Sequence, residues 1–135
     1  MRRLRTISAC PDELLLDTHV VLWWLTDDPS LTDELKHRLD DDPDVFVSVV
    51  SMWEVAIKQA AGKLGGPLDM PERIRDSGLV TLEISSAHAS AAGRLPLIHR
   101  DPFDRMLVAQ AKAEGLTLVT RDPWCHKYEV PILAV

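Results

Sequence analysis

Four carboxylates stand beside short apolar runs in this sequence: Asp17 after "LLL", Glu54 in "SMWEVAIKQAAG", Asp104 in "DPFDRMLVAQAKAEG" and Asp122 after "LTLVTR". Brought together without a counter-charge, they would repel one another and raise their own pKa values, so such a cluster calls for a cation. Hard oxygen donors suit Mg2+ or Mn2+, ions that keep several waters and leave positions open to phosphate oxygens. The chemistry that follows is phosphodiester hydrolysis, in which one ion activates an attacking water and a second can stabilise the leaving oxygen.

Whether the four can meet depends on the elements that carry them. Leu14 to Leu16 predict a short buried strand, and the apolar "HVVLWWL" after Asp17 and Thr18 predicts a helix. Leu31, Leu35 and Leu39 recur at helical spacing before "DDDPD" ends the pattern. The β-branched run "VFVSVV" predicts a buried strand, and "SMWEVAIKQAAG" a helix with Gly62 at its C-terminal end. Pro71 to Gly78 predict a short helix, "LVTLEI" a strand and "SSAHASAAG" another small helix. The helix "DPFDRMLVAQAKAEG", with Phe103, Met106, Leu107 and Ala111 on one face, leads to the strand "LTLV", and "PILAV" predicts an edge strand. Alternating strands and helices predict an α/β fold whose mostly parallel sheet has helices on both faces. In such sheets ligands bind at the carboxyl ends of the strands, and all four acids fall there.

Each acid also has a structural explanation. Ser51 and Glu54 form a capping-box pattern, and Glu54 can pair with Lys58 four residues on. Asp101 before Pro102 reads as a helix cap, Asp104 as a carboxylate complementing the helix dipole, Asp122 before Pro123 as a turn residue and Thr120 as a strand end. Asp17 suits a turn and helix cap, yet a lone carboxylate between "LLL" and "VVLWWL" is costly to bury without a partner, which favours a functional role. Arg94, Arg100, Arg105 and Arg121 lie near the acids, where they can meet phosphates or form ordinary salt bridges. Lys58 and Lys63 fall on the far side of their helix's apolar stripe, as solvated residues would. His19 and His99 flank candidate acids without ligand spacing, and neither is assigned to a metal. One of Trp23 and Trp24 fits core packing; the other suits a partner groove or a stacked base.

Composition sets the limits. The 135 residues fit one domain, residues 13–135, with residues 1–12 outside the α/β rhythm as a flexible appendage. No apolar run approaches the roughly 20 residues of a membrane span, and "MRRLRTISAC" lacks the apolar segment of a signal peptide, so a cytoplasmic protein is expected. Cys10 and Cys125 are far apart and read as free thiols. A net charge of −6 argues against a broad basic face for nucleic acid. Acids gathered in one cavity would account for much of that excess and leave basic residues at its rim.

With those residues in place, the chain resembles the PIN-domain ribonucleases, and among them the VapC toxins of bacterial and archaeal toxin–antitoxin pairs. The resemblance runs from Leu14 to Val135 and is carried by "LLLDTHVVLWWL", "SVVSMWEVAIKQAAGKL", "HRDPFDRMLVAQA" and "LTLVTRD" in the family's order and spacing. It implies a three-layer α/β/α sandwich and an acidic catalytic and metal site at Asp17, Glu54, Asp104 and Asp122. Thr120 matches the small hydroxyl residue near the fourth acid, and Arg105 and Asp101 are lesser candidates. It further implies an endoribonuclease that uses Mg2+, with Mn2+ able to substitute, and leaves 5′-phosphate and 3′-hydroxyl ends. A cognate antitoxin whose tail covers the site, and a homodimer, complete the expectation. The rival reading is a non-catalytic interaction module of the same fold, whose acids are caps and salt bridges. A phosphohydrolase using Asp17 as phosphate acceptor is a third, although "DTH" lacks the neighbouring acid of the common hydrolase motif.

Overall fold

Leu14, Leu15 and Leu16 have no exposure to solvent. The computed structural model, which describes residues 13–41 and 44–135, gives the reason: they form the central strand of a sheet covered on both faces. That sheet contains β1 (Leu14–Leu16), β2 (Val45–Ser48), β3 (Val80–Leu82), β4 (Thr117–Thr120) and β5 (Ile132–Ala134), in the order β3-β2-β1-β4-β5. Every neighbouring pair is parallel, and Leu14 lies opposite Val45 on one side and Thr117 on the other. Among the described residues the helices are α1 (Thr18–Leu25), α2 (Asp33–Asp41), α3 (Val49–Ala60), α4 (Met70–Asp76), α5 (Ser86–Arg94) and α6 (Pro102–Glu114).

Alternation along β1 decides which helices cover which face, because successive strand side chains point to opposite sides. Leu14 and Leu16 join a cluster with Val20, Val21 and Leu22 of α1, Leu39 of α2 and Ile74 of α4. Leu15 points the other way, into a cluster with Leu107, Val108 and Ala111 of α6 and with Cys125 and Tyr128. Helix α5 packs on α6. The result is an α/β/α sandwich. Residues 1–12, expected as an appendage, lie outside the described residues, as does Cys10; Cys125 is a free, buried thiol. Among the described residues no helix is long and apolar enough to cross a membrane.

Two local expectations need correction. The run "VFVSVV" leaves the strand at Ser48, whose hydroxyl accepts the Val50 amide and caps α3. The helix therefore begins before Ser51, which is buried inside it and does not cap it. Elsewhere the cap expected at Asp101 forms, its carboxylate accepting the Phe103 and Asp104 amides; at the other end of α6, Gly115 closes the helix with φ 69.

The strand order creates the cleft. The chain passes from β1 to β2 on one side and later returns to place β4 on the other side of β1. The carboxyl ends of β1 and β4 therefore flank the point where the connections diverge, the place where α/β sheets open a ligand crevice.

Candidate active site

Asp17 is the first residue beyond β1, and its amide donates to the Val119 carbonyl of β4 at 3.0 Å. One carboxylate oxygen accepts the Val20 amide at 3.1 Å, capping α1, while the other accepts the Thr120 hydroxyl. Burial pushes its carboxyl above the usual range despite the opposing hydrogen bonds from Thr120 and Val20. The Thr120 hydroxyl also accepts the Asp122 amide at 3.0 Å, so one side chain connects the ends of the first and fourth acidic segments.

Glu54 reaches the same region from the second turn of α3, one turn later than expected because the helix starts at Val49. It is buried. Its Oε1 accepts the Thr18 hydroxyl at 2.6 Å, and its Oε2 accepts Lys58 Nζ at 2.7 Å. Thr18 also lies 3.0 Å from the Ser51 hydroxyl. Lys58 is therefore not simply solvated, and its hydrogen bond to Glu54 raises its pKa.

Asp104 and Asp122 meet across a histidine. His99 Nε2 lies 3.0 Å from Asp104 Oδ2 and 2.8 Å from Asp122 Oδ2. Burial, the Asp101 charge and the Asp122 carboxylate push Asp104 up to about 7. Burial would raise Asp122 too, but the Trp124 amide, His99 and Asp104 hydrogen bonds hold its pKa below the ordinary value. For His99, burial opposes protonation, yet the hydrogen bond to Asp122 and the surrounding carboxylate charge raise its pKa.

All four sequence-predicted acids line one cavity of about 340 Å3, together with Asp101. His19, Lys58 and Arg121 contribute its basic side chains and Trp23 an aromatic wall. Trp23 and Trp24 both pack partly against the core, and Arg121 stacks over Trp23 at 4.5 Å from its ring centre. Arg105 points elsewhere. Its buried guanidinium donates to the carbonyls of Ala92 (2.9 Å), Leu95 (3.0 Å) and Pro96 (3.0 Å), so it staples the α5–α6 connection and is spent before it could meet a phosphate. Of the four arginines near the acids in sequence, Arg121 alone lines the acidic cavity.

The donor set fits a divalent cation. The Asp104 and Asp122 carboxylates and the His99 ring nitrogen lie within 4.8 Å of one another, and Asp104 is burdened by neighbouring negative charge. Asp17 and Glu54 add hard oxygens to the same cavity. Lys58 and His99 partly compensate these acids. His99 is the site residue that sequence spacing missed; its position beside "RDPFD" is the one signal that could have found it.

The PIN-domain family model matches residues 14–129. This chain belongs to the PIN-domain family. Ribonuclease VapC22 of Mycobacterium tuberculosis is 27% identical over an alignment of 125 positions that covers 87% of this chain and 93% of that protein. The crystal structure of DNA-bound VapBC from Salmonella typhimurium matches this PIN domain with a TM-score of 0.68 at 18% identity, over 90% of this chain and 97% of that one. That of FitAcB from Neisseria gonorrhoeae gives 0.63 at 21%, over 89% and 96%. At these identities the likeness to the solved structures is one of fold.

Proposed function

We propose that this PIN domain is a metal-dependent endoribonuclease and the toxin of a VapC-type toxin–antitoxin pair. The observation that carries the reading is the convergence of Asp17, Glu54, Asp104 and Asp122, from four separate elements, on one cavity at the divergence of the sheet. The names of its relatives, a ribonuclease VapC22 and VapBC complexes, support the same reading.

In this reading the four acids hold Mg2+, or Mn2+ in its place, directly or through water. A divalent ion bound there supplies Lewis acidity toward the phosphodiester and lowers the pKa of an attacking water. The protein's own groups position the reactants. Thr120 fixes the Asp17 carboxylate, Thr18 and Lys58 fix Glu54, and the Asp101 cap sets the start of α6 from which Asp104 projects. Arg121 and His19 at the cavity wall offer positive or hydrogen-bonding groups to substrate phosphates. Water, and not the ribose 2′-hydroxyl, is the nucleophile and the ribose 3′-oxygen is the leaving group, so the products carry 5′-phosphate and 3′-hydroxyl ends.

The domain comprises residues 13–135 with residues 1–12 as an appendage, and it works in the cytoplasm under restraint by an antitoxin whose tail covers the acidic cavity. A homodimer is supported by exposed Trp53 and Ile57 on α3, with Trp53 edge-on to Phe103 at 5.4 Å, an apolar face that a second copy could cover.

The test is cleavage of total cellular RNA by antitoxin-free protein with Mg2+, with Mn2+ and with chelator, beside Asp17→Asn and Asp104→Asn. Discrete metal-dependent fragments, lost in both variants, are expected. Cleavage that survives chelator or either substitution would overturn the metal-site assignment. Folded protein that neither cuts RNA nor binds Mn2+ would point instead to the non-catalytic interaction module.

A further inference from the structure

We propose that His99 is a positioning residue of the metal site: its Nε2–H holds Asp104 and Asp122 together in the arrangement that receives the cation, without itself ligating the ion. This rests on the metal-site reading above and extends it to a residue outside the four acids.

The segment carrying His99 is fixed from several directions. Its amide donates to the Tyr128 hydroxyl at 2.9 Å, and that hydroxyl donates to the Pro96 carbonyl at 3.1 Å. Arg105 donates to the same Pro96 carbonyl and to those of Ala92 and Leu95, anchoring the chain just before His99. These contacts join α6 and the 3-10 turn Pro123–Lys127 region to a connection that has no regular structure of its own. Such an investment in one short segment delivers a single side chain to the acids.

The ring's hydrogen bonds then decide its role. Nε2 lies within 3.0 Å of two carboxylate oxygens, an arrangement that is favourable when this nitrogen carries the proton. Nδ1 faces the Asp101 amide at 3.3 Å, a donor, which disfavours the neutral tautomer with its proton on Nδ1. Protonated or neutral, His99 therefore presents an N–H and not a lone pair to Asp104 and Asp122. A ligand would need that lone pair. The N–H instead bridges the two carboxyl groups and fixes the rotamers from which they offer their remaining lone pairs. Outer partners of this kind orient ligating carboxylates, and removing one typically weakens metal affinity about 10–100-fold.

The test uses the intact protein and Mn2+ alone, with no RNA. Mn2+ affinity is measured by titration for the wild type, His99→Ala and His99→Gln, and chelator-treated samples are melted in parallel. Pulsed electron paramagnetic resonance of bound Mn2+ reports directly coordinated imidazole nitrogen. Expected are a roughly 10–100-fold weaker affinity in His99→Ala, substantial recovery in His99→Gln because its side-chain amide restores an N–H, similar metal-free melting, and no nitrogen coupling that disappears with His99. Unchanged Mn2+ affinity in His99→Ala would overturn the proposal. So would a coupling present in the wild type and absent in His99→Gln, which would make His99 a ligand; both results leave the four-acid site standing. If His99→Ala does not fold, His99→Gln decides alone: affinity near wild type without a lost coupling supports positioning, and loss of affinity overturns it. Folded wild type that fails to bind Mn2+ would overturn this proposal and the metal-site reading together.

Discussion

Asp104→Asn should make the metal-free protein more stable at pH 8 while abolishing its activity. The Asp104 carboxyl is held at about 7, against 3.8 for the ordinary group. Below pH 3.8 it is protonated in both folded and unfolded chains and contributes no pH-dependent term. As pH rises from there, the unfolded chain gives up its proton first, so stability falls, and the full cost is reached above about pH 7. Three pKa units correspond to a ceiling of about 4 kcal/mol. Asp122, whose pKa is lowered, returns part of that, so the net gain on removing the Asp104 charge at pH 8 falls below this ceiling. For a domain of this size each kcal/mol is about 4 °C in melting temperature. Thermal melts in chelator at pH 5, 6, 7 and 8 read it, with the gap between variant and wild type widening as pH rises. Saturating Mn2+ should reverse the order by stabilising the wild type more strongly. Equal melting in chelator at pH 8, or a less stable variant, would refute the reasoning.

Three further outcomes are expected. Mn2+ binding by the wild type should tighten between pH 6 and pH 8 and release protons, because the raised carboxyls of Asp104 and Asp17 must ionise to act as ligands; calorimetry in buffers of different ionisation enthalpy reads the protons. Arg105→Met should cost about 3 kcal/mol in urea unfolding, since it strips donors from the Ala92, Leu95 and Pro96 carbonyls without touching the acids. Thr120→Val should lower stability by about 1–3 kcal/mol and weaken RNA cleavage, as the Asp17 carboxylate loses its donor and the Asp122 amide its acceptor. Thr120→Ser, which keeps the hydroxyl, should retain most of both.

Much of the fold can be read from short patterns whose physical cause is local. "LLL" is a central parallel strand because it has no polar face to offer water, and the acids after "LLL" and "LTLV" follow from strand direction alone. The end of β2 was less legible. "VFVSVV" is β-branched on both sides of Ser48, and only the cap formed by that serine decides where strand becomes helix, which moves Glu54 from the first turn to the second. Asp101 and Asp104, neighbours in the motif, both line the cavity, but the Asp101 carboxylate is also engaged as the cap of the Phe103 and Asp104 amides. His99 and Arg105 exchange the importance that sequence assigned them. The reason is long range: the Tyr128 hydroxyl that fixes His99 comes from 29 residues away, and the carbonyls that capture Arg105 belong to a connection whose path no spacing encodes.

The position of β1 between β2 and β4 also governs the order in which the acidic cavity can be completed. Thr120 and Asp17 are 103 residues apart, so the bond between them closes only when that entire stretch has been made. During synthesis β1 can first pair with β2, but its other edge stays bare until β4 has been made, and Asp122 follows two residues later. An unfinished chain therefore has a partly built sheet and no complete acidic cavity. A fragment abandoned during synthesis before β4 would lack both the wall and the last carboxylate of the cleft.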